Sequence, residues 1–274
     1  MAAINLTGCG IGNVVLIVAA RSCDHPAALA TAAAAAAGGV MARVRVRIDI
    51  DVDIDGADGI LAGIRSDAIE LELRSSRSSR SPSAAAVDDD DEDDADLSKY
   101  CNLSALARPE TIQAMRRIVI VPDGLEEIMR KTFRGVQAGF CIRTSDEAYD
   151  GACRFMNDRA RATMIALMSR YERVFVCSND VRNLENLPSN ALVFEKTGDD
   201  DDDDDRSSKR NALSHWMQWH VLARCPVVFH GVSGRDGSIT STFGSTAAFY
   251  GGGIPVGVDN DGNVFATTTT GYRW

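Results

Sequence analysis

Short, largely apolar runs alternate with amphipathic stretches from about residue 108 to the end of the chain. Val136–Ile142, Arg173–Cys177 (RVFVC), Ala191–Phe194, Pro226–Phe229 (PVVF) and Ile254–Val258 read as strands. Between them, Thr111–Val121, Leu125–Arg134, Asp146–Tyr171, Ala212–Ala223 and a small-residue segment near Ser245–Tyr250 read as helices. Strands without a polar face, separated by helices, predict an α/β domain with a parallel sheet covered by helices on both faces. Such sheets bind ligands beyond the carboxyl ends of their strands.

The first hundred residues follow a different rule. Val44, Val46, Ile48, Ile50, Val52 and Ile54 alternate with Arg and Asp, the period of a half-buried strand. Asp55–Gly59 is a turn, and Ile60–Leu73 returns as a second strand or a short helix. Around this lie an alanine-rich run (Ala27–Ala37), the Ser/Arg stretch Ser75–Ser83 and the acid run Asp88–Asp94. The organisation expected is a small or partial α/β region over 1–74, an unstructured linker over 75–98, and a larger domain over 99–274 with an unstructured acidic insert at 198–210. Asp51, Asp53, Asp55 and Gly56 match the start of a calcium loop, but the twelfth position is Ala62, so the bidentate carboxylate is missing. Gly8, Gly10 and Gly12 follow no strand and make no dinucleotide fingerprint.

Charge changes the picture little. The net charge of −10 includes fourteen acids in Asp88–Asp94 and Asp199–Asp205; removing them leaves 25 acids against 29 bases. Such runs are solvated, and neither they nor the rest of the chain suggest a nucleic-acid partner. The seven cysteines form no CxxC pair, so no zinc or redox motif is read, and no metal is expected. Those in apolar, strand-like surroundings are expected as buried thiols. No apolar run reaches membrane-spanning length, and no signal peptide is evident at the N-terminus.

Three strand ends carry the candidate chemistry. The first is Arg143-Thr144-Ser145-Asp146: an arginine offers a permanent donor fork suited to phosphate oxygens, which Asp146 would orient. The second is Cys177-Ser178-Asn179-Asp180, where Asn179 and Asp180 suit a ribose or base and equally suit a helix cap. The third is the Gly/Ser/Thr loop after PVVF and the helix start at STFGSTAA, where Ser241, Thr242 and Thr246 would join free backbone N–H groups around an anion. No Walker lysine follows, and Gly231-Val232-Ser233-Gly234 lacks the spacing of a hydrolase nucleophile. Trp216 and Trp219 read as core, as does the ring of Phe243; His215, His220 and His230 read as packing or surface histidines.

In this order, strand-IRTSD, strand-SND and helix-RCPVVF-loop-STFGSTAA resemble the nucleotide-sugar-binding half of GT-B fucosyltransferases, the superfamily of protein O-fucosyltransferases and of α-1,6- and plant-type enzymes. The resemblance spans Arg108 to Gly253. It departs from the pattern at Ser145 (usually glycine), Gln218 (an acid), Pro226 (an aspartate) and Gly244 (a serine). It implies a Rossmann-like domain of the GT-B C-terminal type, GDP-fucose as donor, a glycan or glycoprotein hydroxyl as acceptor, inversion, and no metal or other cofactor. It also implies a compartment of the secretory pathway. By the same resemblance Arg143 neutralises the β-phosphate and is the catalytic residue, Asp146 steadies it, Asn179 and Asp180 face the nucleoside, and Ser241, Thr242 and Phe243 line the donor. A catalytically inactive relative and an unrelated Rossmann-like nucleotide-binding protein or hydrolase remain open as alternatives.

Overall fold

The computed structural model of the chain describes residues 4–5, 44–49, 64, 69–74, 108–144, 156–194, 204–233, 238–239, 242–268 and 271–273. Near the N-terminus, β1 (Ile4–Asn5), β2 (Val44–Asp49) and β3 (Ile69–Arg74) form a parallel three-stranded sheet in that order. The alternating segment is thus a strand as far as Asp49; Ile50, Val52, Ile54 and the turn at 55–59 lie outside the described residues. The expected return is a strand, but it runs parallel to β2, so a crossover and not a hairpin joins them. Ile64 is buried and bridges to Val119, tying this region to the larger one.

The larger region begins with α1 (Pro109–Ile118) and α2 (Leu125–Lys131). Proline in the first turn of α1, with Glu110 there and Arg116 and Arg117 in the last turn, suits the helix dipole at both ends. Then follow β4 (Ala138–Ile142), α3 (Asp158–Met168), β5 (Val174–Ser178), a 3-10 turn (Val181–Leu184) and β6 (Ala191–Val193). The chain continues through α4 (Asp204–Ala223), β7 (Val227–Ser233), β8 (Ser238–Ile239), α5 (Thr242–Gly251), β9 (Ile254–Val258), β10 (Val264–Thr268) and β11 (Gly271–Arg273).

The sheet has the order β11-β10-β9-β7-β4-β5-β6, with β8 paired to β7. Its heart, β6-β5-β4-β7-β9, is parallel throughout, and β10 and β11 extend it antiparallel. The chain starts at β4, winds outward through β5 to β6, then crosses back to lay β7 and β9 on the other side of β4. The parallel sheet that the apolar runs predicted is present, and its winding is the doubly wound, Rossmann-like one that the resemblance implied. The winding reverses between β4 and β7, the position where open sheets of this kind part at their carboxyl ends and admit ligands.

Two cores cover the sheet. One joins Cys141, Cys177, Phe175 and Val228 to α1, α2, α4 and α5. The other joins Phe140, Ile142, Val176 and Phe229 to α3. Rings of Phe140 and Phe229 stack across β4 and β7 with centroids 4.5 Å apart, and burying each ring contributes about 1.5–3 kcal/mol.

Three elements differ from the pattern-based expectation. Helix α3 starts at Asp158, not near Asp146, because the Asn157 side chain caps it by accepting from Ala160 N at 2.9 Å. Helix α4 begins at Asp204, within the acid run, so seven residues of the insert expected over 198–210 are helical. Aspartates at a helix start are favoured by its dipole. Strand β7 runs on to Ser233, since β8 folds back against Val232 and Ser233.

Candidate functional site

Arg143 and Thr144 follow the last residue of β4 directly, so the switch point places them at its mouth. The position of Arg143 is fixed from its backbone: its carbonyl accepts from Met156 N at 2.9 Å. Thr144 is held by the loop after β5. Asn179 Nδ2 donates to the Thr144 carbonyl at 3.1 Å, and Asn183 Nδ2 donates to Thr144 Oγ1 at 2.8 Å and to Ser178 Oγ at 3.1 Å. Asn183 is buried, and its two-way donation makes one polar brace from the ends of β4 and β5.

Asp180 starts the 3-10 turn, its Oδ1 accepting from Arg182 N at 2.9 Å. The same carboxylate receives Arg182 Nε at 3.0 and 2.9 Å, and Arg182 Nη2 lies 2.7 Å from Oδ2. Those side-chain bonds, and then the backbone bond from Arg182, hold its carboxyl below the usual carboxylate range. The acid expected to meet a nucleoside is therefore engaged by a neighbouring guanidinium. Asn183 and Arg182 were not legible beforehand: in VRNLENLPSN an asparagine and an arginine look like ordinary surface loop.

On the other flank of β4 stands the start of α5. Thr242 is its first residue and is buried; Phe243 is half-buried and packs against the α4/α5 core. Gly244 explains how close the helix comes. A Cβ added there would lie 2.9 Å from Cys141 Cβ and 3.0 Å from His230 Cβ, residues that pair across β4 and β7. The first turn of α5 thus rests on the two strands that flank the switch point, and its leading N–H groups have no partners within the helix. Thr246, one of the hydroxyls expected at an anion, does other work. It accepts from Trp219 Nε1 at 3.0 Å and donates to the Thr242 carbonyl at 2.6 Å, bracing α5 against α4.

Of the candidate site residues, Arg143 and Thr242 are thus brought to the two sides of one switch point, and Asn179 and Asp180 to the adjoining strand end. Asp146 and Ser241 lie outside the described residues. Trp216 and Trp219 are core, as expected. His220 is buried with Nε2 3.0 Å from the Ile120 carbonyl, and His230 is wholly buried; burial pushes the pKa of each down to about 4. Cys141, Cys177 and Cys225 are buried. The Cys141 hydrogen bond, together with burial, raises the Cys177 thiol, and burial pushes Cys225 up to about 12. Neither is poised as a thiolate. Among the described residues no group of three His, Cys, Asp or Glu side chains gathers as a metal site would, and no helix is long and apolar enough to cross a membrane.

The domain defined by this winding and this crevice is an α/β domain of Rossmann-like form. Solved structures similar to it include fucosyltransferases. NodZ α-1,6-fucosyltransferase soaked with GDP-fucose matches at 15% identity and a TM-score of 0.40, over 61% of this chain and 53% of its own. The selenomethionine form of NodZ from Bradyrhizobium matches at 16% and 0.40, over 57% and 52%. POFUT1 in complex with GDP-fucose matches at 8% and 0.31, over 52% and 47%. The chain spans about half the length of the structures it matches. No family model matches it, and no curated protein does so significantly.

Proposed function

We propose that residues 99–274 form the nucleotide-sugar-binding domain of a glycosyltransferase that takes fucose from GDP-fucose to a glycan or protein hydroxyl, with inversion and without a metal ion. Residues 1–74 are then a small companion region and 75–98 a linker. The observation that carries this reading is the placement at one switch point of two elements suited to an anion: Arg143 just beyond β4, and the first turn of α5 seated on Cys141 and His230. The order of the three motifs along the chain adds to it.

In this reading the bond between the sugar carbon and the β-phosphate oxygen breaks as the acceptor oxygen bonds to the opposite face of that carbon. The acceptor hydroxyl loses its proton, and GDP leaves with the electron pair. Charge grows on the departing phosphate, where a fixed guanidinium and helix N–H groups stabilise the transition state more than the ground state. Arg143 neutralises that phosphate, and Asp146 orients Arg143. Ser241 and Thr242 bind phosphate through hydroxyl and backbone groups beside Phe243, while Asn179 and Asp180 face the nucleoside.

A second reading, a binding protein without turnover, is favoured by one group of observations. The Asp180 carboxylate is engaged by Arg182, and His220 and His230 are enclosed. A melt in the presence of nucleotide tests the shared premise. GDP or GDP-fucose at a hundredfold excess over its Kd raises the Tm by about 5 °C or more, and Arg143→Ala removes the shift. A wild-type melt indifferent to both nucleotides defeats the proposal. GDP release in the presence of an acceptor pool then separates the enzyme from the binder.

A further inference from the structure

The turn between β9 and β10 is held more firmly than a strand connection needs. Asp259 is buried; its Oδ1 accepts from Asp261 N at 2.9 Å and Asn263 N at 2.8 Å, and its Oδ2 accepts from Asn263 Nδ2 at 2.9 Å. Gly262 is left-handed, with φ +79°, and a Cβ there would lie 2.7 Å from Thr163 Oγ1 of α3. The turn is thus stiffened from within and seated against the side of α3.

From this seat Asn260 reaches the start of that helix. Asn157 N donates to Asn260 Oδ1, and Asn157 Nδ2 donates to the Asn260 carbonyl, both at 2.9 Å. Two bonds between the same two residues, 103 apart in sequence, fix their mutual orientation as one bond would not. Capping does not require them. The cap is a third bond, from Ala160 N to Asn157 Oδ1, and both Asn260 bonds are exposed, where water could replace them. Exposed bonds of this kind add little to stability, so what they supply is direction. The residue before Asn157 shows what is directed. Met156 is buried, and its N–H is the donor to the Arg143 carbonyl at 2.9 Å. A continuous path therefore leads from Asn260 through Asn157 and Met156 to the backbone of Arg143, although β9 lies two strands from β4.

We infer that Asn260 is a positioning residue for Arg143: the β9–β10 turn, clasped to Asn157, sets where the Arg143 guanidinium meets the phosphate. This rests on the functional reading above. Asn260 acts through the backbone and on the anion alone, because that reading gives the nucleoside to Asn179 and Asp180 at the end of β5.

The experiment compares full-length wild type with two neutral variants. Asn260→Ala removes the Oδ1 acceptor, and Asn157→Ser keeps a capping oxygen but is too short to reach the Asn260 carbonyl. Amide exchange by NMR follows the Met156 N–H, and calorimetry well below each Tm gives affinities for GDP, pyrophosphate and guanosine. In both variants the Met156 amide should exchange about fivefold faster. Affinity for pyrophosphate and GDP should fall about tenfold, with that for guanosine unchanged. Asn260→Asp restores the acceptor and should return the Met156 amide to its wild-type rate. Unaltered exchange in both neutral variants breaks the path and overturns the inference. Faster exchange with undiminished pyrophosphate affinity overturns it as well, leaving Asn260 a structural residue. So does an equal loss for guanosine, which a general loosening would explain. A wild type that binds none of the three compounds defeats the functional reading, and this inference with it, a result distinct from each of those in the variants.

Discussion

The two flanks of β4 are built by opposite means. Towards β5, Asn179 and Asn183 link Thr144 and Ser178 by hydrogen bonds, and Asp180 is matched to Arg182. Towards β7, contact is by close approach: a glycine helix turn rests on Cys141 and His230, and the histidine keeps an acceptor without a mate. The first flank spends its polarity on holding the strand ends together. The second holds by shape, and it is there that the proposed ligand would find its polar partners.

Filling the receptive wall is the strongest way to break this contrast. Gly244→Ala puts a methyl within 2.9–3.0 Å of two strand Cβ atoms, neither at the end of a flexible side chain, so the helix must move. The variant should lose about 1–3 kcal/mol of stability in denaturant unfolding, with nucleotide response lost as the first turn shifts. An unchanged midpoint and response would mean that α5 does not set the site.

Opening the closed wall should come next. Asn183→Ala removes two side-chain bonds, the donor to Thr144 Oγ1 and one of the donors to Ser178 Oγ, which keeps the bond from Asp180 N, costing about 1–2 kcal/mol. Because Arg143 precedes Thr144, GDP affinity measured well below the Tm should drop severalfold. A stability loss with undiminished affinity would make the brace structural only. The smallest effect belongs to the exposed pair. With the Arg182 side chain 69% exposed, Arg182→Ala should leave the unfolding midpoint nearly unchanged. In pH titration the Asp180 carboxyl of this variant should rise towards the ordinary value, since the side-chain bonds from Arg182 are the largest cause of its lowering.

These flanks also mark what was legible in the chain itself. AGFCI, VFVC, PVVF and IPVGV announced the central strands because a strand covered on both faces has no polar side to hide. Arg143 was legible as the first charge after such a run, and the start of α5 as a cluster of small hydroxylated residues. The winding order was not, because an apolar run carries no mark of its neighbour. Nor was the role of Asn183, whose burial arises only when the 3-10 turn folds back on Thr144. The beginning of α3 was misplaced because Phe155 and Met156 continue its apolar pattern, while the capping bond of Asn157 ends it locally. Thr246 and a ligand-binding threonine look alike in sequence; only the arrival of Trp219 from α4 distinguishes them.

The glycine contact under α5 has a mechanical meaning. A helix seated on two adjacent strands through a position with no side chain is indexed by the spacing of the sheet and cannot roll about its own axis. The direction in which its leading amides point is then inherited from β4 and β7 and not from the connecting segment before it.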